Sequence, residues 1–199
     1  MARPLISLRN TWANFERRIL EILRLALHML QEQNPQLTEE NDINHQLSIY
    51  IRRANHRLRR EDKGLDSNPF YEAYNQPDSI SRTTRDDKRP DFQWEFVDYL
   101  ELDPDKSSKH YVIECKRLGA PSSPSWKLNK NYITNGVLRF VKVESGYGKF
   151  CSSSAMVGYV QSMDLSDILR EINQVAADEQ IPSINPRSEE HTSELQSQR

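Results

Sequence analysis

Apolar residues recur at steps of three and four in two segments near the N-terminus, and this is the spacing of an amphipathic helix. The first segment runs from Leu8 to Gln33, and Asn34-Pro35 ends it. The second follows Thr38, which is expected to be its N-cap. Its predicted buried stripe consists of Ile43, Leu47, Ile51, Ala54 and Leu58. We therefore predict two consecutive helices.

The hydrophobic pattern changes to a period of two in the middle of the chain, as expected for strands. One strand is predicted from Asp91 to Leu100 and its return strand from His110 to Leu118. The turn signal Asp103-Pro104-Asp105 lies between them, so we expect an antiparallel hairpin. A weaker strand is predicted near Asp78 to Arg82.

Helical and strand patterns alternate again in the last third of the chain. Residues around Tyr132 to Val141 favour a helix, Ala155 to Gln161 a short strand, and Asp164 to Ala177 a final helix. This order predicts an α/β or α+β fold, in which a mixed central sheet is flanked by helices and preceded by an N-terminal helical extension.

Length and composition fit one soluble domain. The chain has 199 residues, 36% hydrophobic residues and a formal charge of −2, so any surface that binds nucleic acid must come from local clustering. The apolar stretch from Ile19 to Leu30 carries charged residues and cannot span a bilayer. Two cysteines without metal spacing favour reduced thiols and a cytoplasmic location.

The C-terminal segment 187–199 resembles the translation of a common DNA-sequencing adaptor. A natural polar tail is the alternative, and we leave this segment out of the fold prediction. The expected division is a helical extension over residues 1–35, a main domain over 36–186, and the tail.

Charged residues on the predicted hairpin are the chemically informative feature. Glu114 and Lys116 are two residues apart on a strand and therefore face the same way. Asp91 opens the partner strand and should lie opposite Lys116 or within a couple of residues of it. Two carboxylates at close range suit Mg²⁺, which binds one or two carboxylates and keeps several waters. A cross-strand salt bridge on a solvated face is the alternative interpretation.

At these residues the chain resembles the PD-(D/E)XK nuclease superfamily, which has the restriction-endonuclease-like fold. Its motif is a Pro-Asp, a hairpin, and then Glu-x-Lys, and here Pro90-Asp91 and Glu114-Cys115-Lys116 match it. The resemblance covers residues 38–177, and it implies a metal-dependent nuclease.

The resemblance also implies roles for individual residues. Asp91 and Glu114 would bind Mg²⁺, for which Mn²⁺ can substitute, Lys116 would position the attacking water, and Glu40 would assist, with Glu39 as an alternative. DNA is the implied substrate, endonucleolytic cleavage is favoured over exonucleolytic, and a restriction or phage-defence system is the implied setting. Cleavage of both strands would need two sites and hence a homodimer.

Clustered arginines supply the candidate nucleic-acid-binding surface. Arg52, Arg53 and Arg57 lie late in the second helix, and Arg139 follows the motif. A solvated helix face is the more common explanation of such a basic stretch. Two other functions stay open: a catalytically inactive relative that binds nucleic acid or serves in assembly, and, with less support, a transcriptional regulator.

Overall fold

The computed structural model describes residues 11–33, 37–77 and 83–185. Its elements follow the chain in this order: α1 (Trp12–Gln33), α2 (Glu40–Arg59), β1 (Phe70–Tyr71), β2 (Phe92–Val97), α3 (Pro104–Ser107), β3 (Ser108–Leu118), α4 (Leu128–Tyr132), a π-helical turn (Ile133–Val137), α5 (Leu138–Val141), β4 (Ala155–Val160) and α6 (Leu165–Asp178). The predicted strand at 78–82 and the segment 187–199 lie outside the described residues.

One mixed sheet of four strands organises the described part of the chain, in the spatial order β1-β2-β3-β4. The first three strands pair antiparallel, whereas β4 runs parallel to β3. Strand β3 is therefore bonded along both edges, and its residues from Tyr111 to Lys116 are all buried. The predicted mixed α+β architecture with flanking helices is confirmed at this level.

The first helical pair covers one face of the sheet. Helices α1 and α2 bury their predicted stripes in one core that also contains Phe92, Trp94 and Cys115 from the strands. Every residue of the stripe predicted for α2 is buried. Helix α1 shares this core with the elements that follow it. The division between a helical extension and a main domain at residue 35 stays a prediction. None of the described helices is long and apolar enough to cross a membrane.

A second, smaller core forms where α6 packs against the helix that follows β3. Its buried members are Leu118, Tyr132, Ile133, Leu138, Ile168, Ile172 and Ala176. The predicted helix from Asp164 to Ala177 and the strand from Ala155 to Gln161 are confirmed to within one residue at each end.

The hairpin differs from its prediction in two details. Strand β2 ends at Val97 instead of Leu100, and Leu100 is 76% exposed. At the predicted turn, Asp103 caps a single helical turn, because its side chain accepts a hydrogen bond from Asp105 N at 3.0 Å. Proline at the first helical position has no N–H to satisfy, so it fits this cap as well as it fits a turn.

The start of α2 also differs from its prediction. Glu39, not Thr38, occupies the N-cap position, and its side chain makes no capping hydrogen bond. The carbonyl oxygen of Thr38 instead accepts hydrogen bonds from Arg117 Nη1 at 2.7 Å and from Gln161 Nε2 at 2.8 Å. These bonds fix the beginning of α2 against the ends of β3 and β4, and so they place Glu40.

Gly119, the residue directly after β3, has a backbone conformation that other residues avoid. Its φ is +139°, and a Cβ at this position would lie 2.8 Å from the carbonyl oxygen of Ser162. Its N–H donates to Asn129 Oδ1 at 2.9 Å. The chain can therefore leave the sheet directly after the Glu114-Cys115-Lys116 segment and enter the following helix.

Candidate active site

The four residues singled out from the sequence converge at one end of the sheet. Lys116 Nζ lies 2.8 Å from Glu114 Oε1 and 2.8 Å from Glu40 Oε1. Asp91 directly precedes β2, and the register that pairs Phe92 with Ile113 brings it beside Glu114. Its Oδ2 accepts from Cys115 N at 2.6 Å. Two strands and the first residue of α2 therefore build the cluster.

Glu40, and not Glu39, joins this cluster. Glu40 Oε2 also accepts a hydrogen bond from Arg117 N at 3.1 Å, so both of its carboxylate oxygens are fixed against β3. The side chain of Glu39 is 68% exposed, and it lies 3.5 Å from Arg117 Nη1, away from Lys116. The position of Glu40 in the first turn also favours its negative charge through the helix dipole.

Arg139 belongs to the same cluster, although the sequence indicated only a surface cation. Its Nη1 lies 2.6 Å from Glu114 Oε1, and its guanidinium is 5.7 Å from the ring centroid of Tyr147. A π-helical turn directly precedes α5. Such a turn adds a residue to the helix and rotates the side chains that follow it. The turn therefore affects which face of α5 meets Glu114.

Asn44 and Tyr159 support Asp91 from the side. Asn44 Nδ2 donates to Asp91 Oδ1 at 3.0 Å, and the Tyr159 hydroxyl donates to Asn44 Oδ1 at 2.7 Å. Both oxygens of Asp91 therefore accept hydrogen bonds. The sequence analysis did not assign a role to Asn44. Its spacing of four residues from Glu40, on the same helix face, is the signal that could have found it.

The ion pairs at this site are buried, which excludes the interpretation as a salt bridge on a solvated sheet face. The Glu114 side chain is 1% exposed and that of Lys116 is 11% exposed. Glu114 Oε2 is buried and has no hydrogen-bond partner among the described residues. A buried polar atom without a partner is costly, so it is a position where an additional ligand would lower the free energy.

Burial raises the pKa of both inner carboxyl groups, and a neighbouring carboxylate raises each further, Asp91 for Glu114 and Glu40 for Asp91. Desolvation, followed by the charge of Asp91, raises the pKa of Glu114 to about 7, although Lys116 and Arg139 oppose this. Desolvation likewise raises the pKa of Asp91 to about 6, against the lowering effect of Lys116. Both carboxyl groups therefore bind a proton more tightly than carboxyl groups in water do.

Lys116 has the opposite environment. Desolvation lowers its pKa, but the three carboxylates of Glu114, Asp91 and Glu40 together raise it by more, so the net pKa lies above its ordinary value. In this arrangement Lys116 keeps its proton. It can donate hydrogen bonds and stabilise negative charge, but it is a poor acceptor of a proton from water.

The basic residues of α2 lie away from this site. Arg52, Arg53 and Arg57 are exposed on the second half of the helix. They follow Glu40 by 12 to 17 positions, and at about 1.5 Å per residue this places them roughly 18–26 Å from it along the helix axis. They can form an outlying electrostatic surface, but the structure does not bring them to the carboxylates.

Tyr132 and Gln161 have structural roles near the site. Tyr132 is buried in the second core, and Gln161 bonds to the carbonyl oxygen of Thr38. No group of three or more His, Cys, Asp or Glu side chains that could hold a metal occurs in the described residues. Comparisons with protein-family models, with curated proteins and with solved structures gave no match.

Proposed function

We propose that this chain is a metal-dependent nuclease that hydrolyses phosphodiester bonds, with Asp91 and Glu114 as the residues that hold the divalent cation. The observation that carries the proposal is the buried carboxylate pair, in which Glu114 Oε2 has no partner among the described residues. The pKa of Glu114 is raised to about 7, so this carboxyl group binds a proton at mildly acidic pH. A cation at Oε2 would replace that proton.

The donor set fits Mg²⁺ better than a transition metal. Both candidate ligands are carboxylates, and the cysteine between Glu114 and Lys116 points into the hydrophobic core with its pKa raised by burial. Mg²⁺ is commonly held by one or two carboxylates and retains waters. The lack of a three-residue ligand group in the described residues is therefore compatible with Mg²⁺, and Mn²⁺ is the usual substitute.

Such a cation would supply Lewis-acid activation of the phosphate and of a bound water. The protein residues have distinct tasks. Lys116 stays protonated, so it would orient the attacking water and stabilise the negative charge that develops on the phosphate. Glu40 holds the Lys116 ammonium in place through its contact at 2.8 Å. Asn44 orients Asp91 through the hydrogen bond to Oδ1.

The choice of substrate and setting is based on the resemblance to the PD-(D/E)XK superfamily. The helix-flanked mixed sheet and the Pro90-Asp91 and Glu114-Cys115-Lys116 motif support the resemblance, and DNA is the substrate by analogy with that family alone. A restriction-endonuclease-like fold, an endonucleolytic mode, a role in prokaryotic defence, a cytoplasmic location and a homodimer are parts of the same proposal.

A second candidate is a nucleic-acid-binding or assembly module without catalysis. One observation favours it: Glu114 Oε1 already contacts both Lys116 and Arg139, so the cluster balances much of its own charge. A buried network of this kind can have a purely structural role.

The two candidates differ in a direct assay of cleavage. The purified full chain is incubated with supercoiled plasmid and Mg²⁺ or Mn²⁺, with and without EDTA. The nuclease proposal expects metal-dependent nicking that Lys116→Met reduces at least 100-fold. The Met substitution keeps the apolar stem of the side chain, and circular dichroism establishes that the variant is folded.

Lys106→Ala is the matched control, because Lys106 is an exposed lysine on α3. We expect it to cleave like the wild type. Cleavage that survives EDTA, or that is unchanged in folded Lys116→Met, contradicts the proposed site. Plasmid binding without nicking in either metal contradicts the nuclease and supports the binding module.

A further inference from the structure

An open cleft of about 430 Å³ lies beside Lys116 and Glu40. Its size is within the range of about 300–1,000 Å³ that is typical of small-molecule sites. Its lining includes Glu40, Lys116, Arg117, Trp126, Asn131 and Asn135. The cleft therefore combines positive charge, side-chain amides and a large aromatic ring next to the proposed site of phosphodiester cleavage.

Trp126 is half exposed, and its backbone is fixed in a turn. Trp126 is 51% exposed to solvent, whereas Trp94 is fully buried. Its backbone N–H donates to Ser123 at 3.1 Å, and its carbonyl oxygen accepts from Ser122 N at 3.2 Å. A tight turn therefore presents the ring at the wall of the cleft. A half-exposed tryptophan ring in the wall of a cleft is suited to stacking against a planar ligand.

Asn131 and Asn135 form an amide pair on the neighbouring helix wall. Asn135 Nδ2 donates to Asn131 Oδ1 at 2.8 Å, one helical turn apart. This bond leaves the Asn131 amino group and the Asn135 carbonyl oxygen to face other partners. A donor and an acceptor side by side match the hydrogen-bonding edge of a nucleobase, in the way that asparagine reads base edges elsewhere.

The charges at the inner end of the cleft suit a phosphate rather than a second cation. The carboxylate of Glu40 is already compensated by Lys116 Nζ and by Arg117 N. The Arg117 guanidinium is held at 2.7 Å from the carbonyl oxygen of Thr38. Three cations, Lys116, Arg117 and Arg139, line the cleft against one carboxylate, that of Glu40, so the lining favours a backbone phosphate beside a stacked base.

We propose that this cleft binds one unpaired nucleobase, stacked on Trp126 and hydrogen-bonded by Asn131 and Asn135, with its phosphate towards Lys116. The proposal depends on the nuclease function above and names its substrate class: single-stranded nucleic acid, or an unpaired segment within a duplex. Bases inside a duplex are stacked on their neighbours, so their faces are closed to Trp126. A fully paired substrate would leave the cleft empty.

Fluorescence anisotropy tests this with short labelled oligonucleotides and the full-length protein in EDTA, so that cleavage does not interfere. Four probes of matched sequence are compared: single-stranded DNA, single-stranded RNA, a perfect duplex, and a duplex with one unpaired base. We expect both DNA probes with unpaired bases to bind at least 10-fold more tightly than the perfect duplex. The RNA probe reports whether the sugar is also selected.

Substitutions at the ring separate stacking from charge. Trp126→Ala should weaken single-strand binding roughly 5- to 100-fold, because base stacking on an aromatic side chain contributes about 1–3 kcal/mol per base. Trp126→Phe should retain most of the affinity. Tyr99→Ala is the control, since Tyr99 is 76% exposed beyond the end of β2 and should not affect binding.

Equal affinity for single-stranded and perfectly paired probes, or no effect of Trp126→Ala on a folded protein, would overturn the base-binding proposal. In the second case a protein partner would be the better assignment for Trp126. The nuclease proposal fails separately: selective binding in EDTA without cleavage in Mg²⁺ or Mn²⁺ would leave the cleft assignment intact. If Trp126→Ala cleaves plasmid and single-stranded probes at the wild-type rate, the result counts against the cleft proposal and leaves the nuclease proposal intact.

Discussion

Replacing Glu114 with glutamine tests the electrostatic description of the site without using catalysis. The folded protein raises the pKa of this carboxyl from 4.5 to about 7, mainly because the group is desolvated and lies near Asp91. The folded state therefore binds the proton more tightly than the unfolded state does. Its contribution to stability is fully present below about pH 4.5 and is lost as the pH rises to about 7.

The magnitude follows from the two pKa values. A tenfold difference in proton affinity corresponds to about 1.4 kcal/mol, so the rise from 4.5 to about 7 has a ceiling of roughly 3 kcal/mol. Most of this range lies between about pH 5 and pH 8, where the wild type should lose about 2–3 kcal/mol. Glutamine resembles the protonated acid and does not titrate. The free energy of unfolding of the variant, relative to that of the wild type, should therefore rise by that amount between pH 5 and pH 8.

Urea unfolding followed by circular dichroism at pH 5, 6, 7 and 8 measures the difference. Comparing variant with wild type cancels the opposite contribution of His110, whose pKa is lowered by burial. Glu144→Gln is the control, because Glu144 lies in an exposed turn and its replacement should leave the curve unchanged. Parallel pH curves for wild type and Glu114→Gln would refute the reasoning. Added Mg²⁺ at pH 8 should stabilise the wild type more than the variant.

Three further substitutions test the surrounding framework. Gly119→Ala should destabilise the fold by about 1–3 kcal/mol in thermal melts, because φ is +139° and the new methyl group meets a backbone oxygen. Asn44→Ala should cost about 1–3 kcal/mol in urea unfolding, since it leaves Asp91 short of a hydrogen bond. Arg139→Ala removes a cation beside Glu114, so Mn²⁺ binding by calorimetry should tighten several-fold. Unchanged values in these measurements would contradict the respective contacts.

The helices and the hairpin could be predicted because burial follows a simple period. In α2, residues three to four positions apart share the buried face. In the paired strands β2 and β3, residues two positions apart share a face. The proximity of Asp91 to Glu114 followed from that pairing. The same reasoning explains why Glu40 stayed undecided against Glu39. A shift of one residue in the helix start exchanges the two, and periodicity does not fix helix ends that closely.

Other parts of the site depend on contacts that have no local pattern. Arg139 reaches Glu114 after a π-helical turn, whose extra residue does not show in the hydrophobic spacing. Trp126 is held by a serine turn that separates strand from helix, and its exposure could not be read from its residue type. That Glu114 Oε2 has no hydrogen-bond partner among residues 11–33, 37–77 and 83–185 can be seen only when the burial of its neighbours is known.

The central position of β3 has a consequence for the order in which the protein folds. The contact between Lys116 and Glu40 joins residues 76 positions apart, and the parallel partner β4 is reached only after the helical crossover. Closing such long loops costs entropy before any stabilising contact forms. The charged cluster should therefore be completed late in folding, after the α1–α2 pair and the hairpin. In pulsed hydrogen exchange during refolding, the amide of Arg117 should gain protection later than the amides within α2.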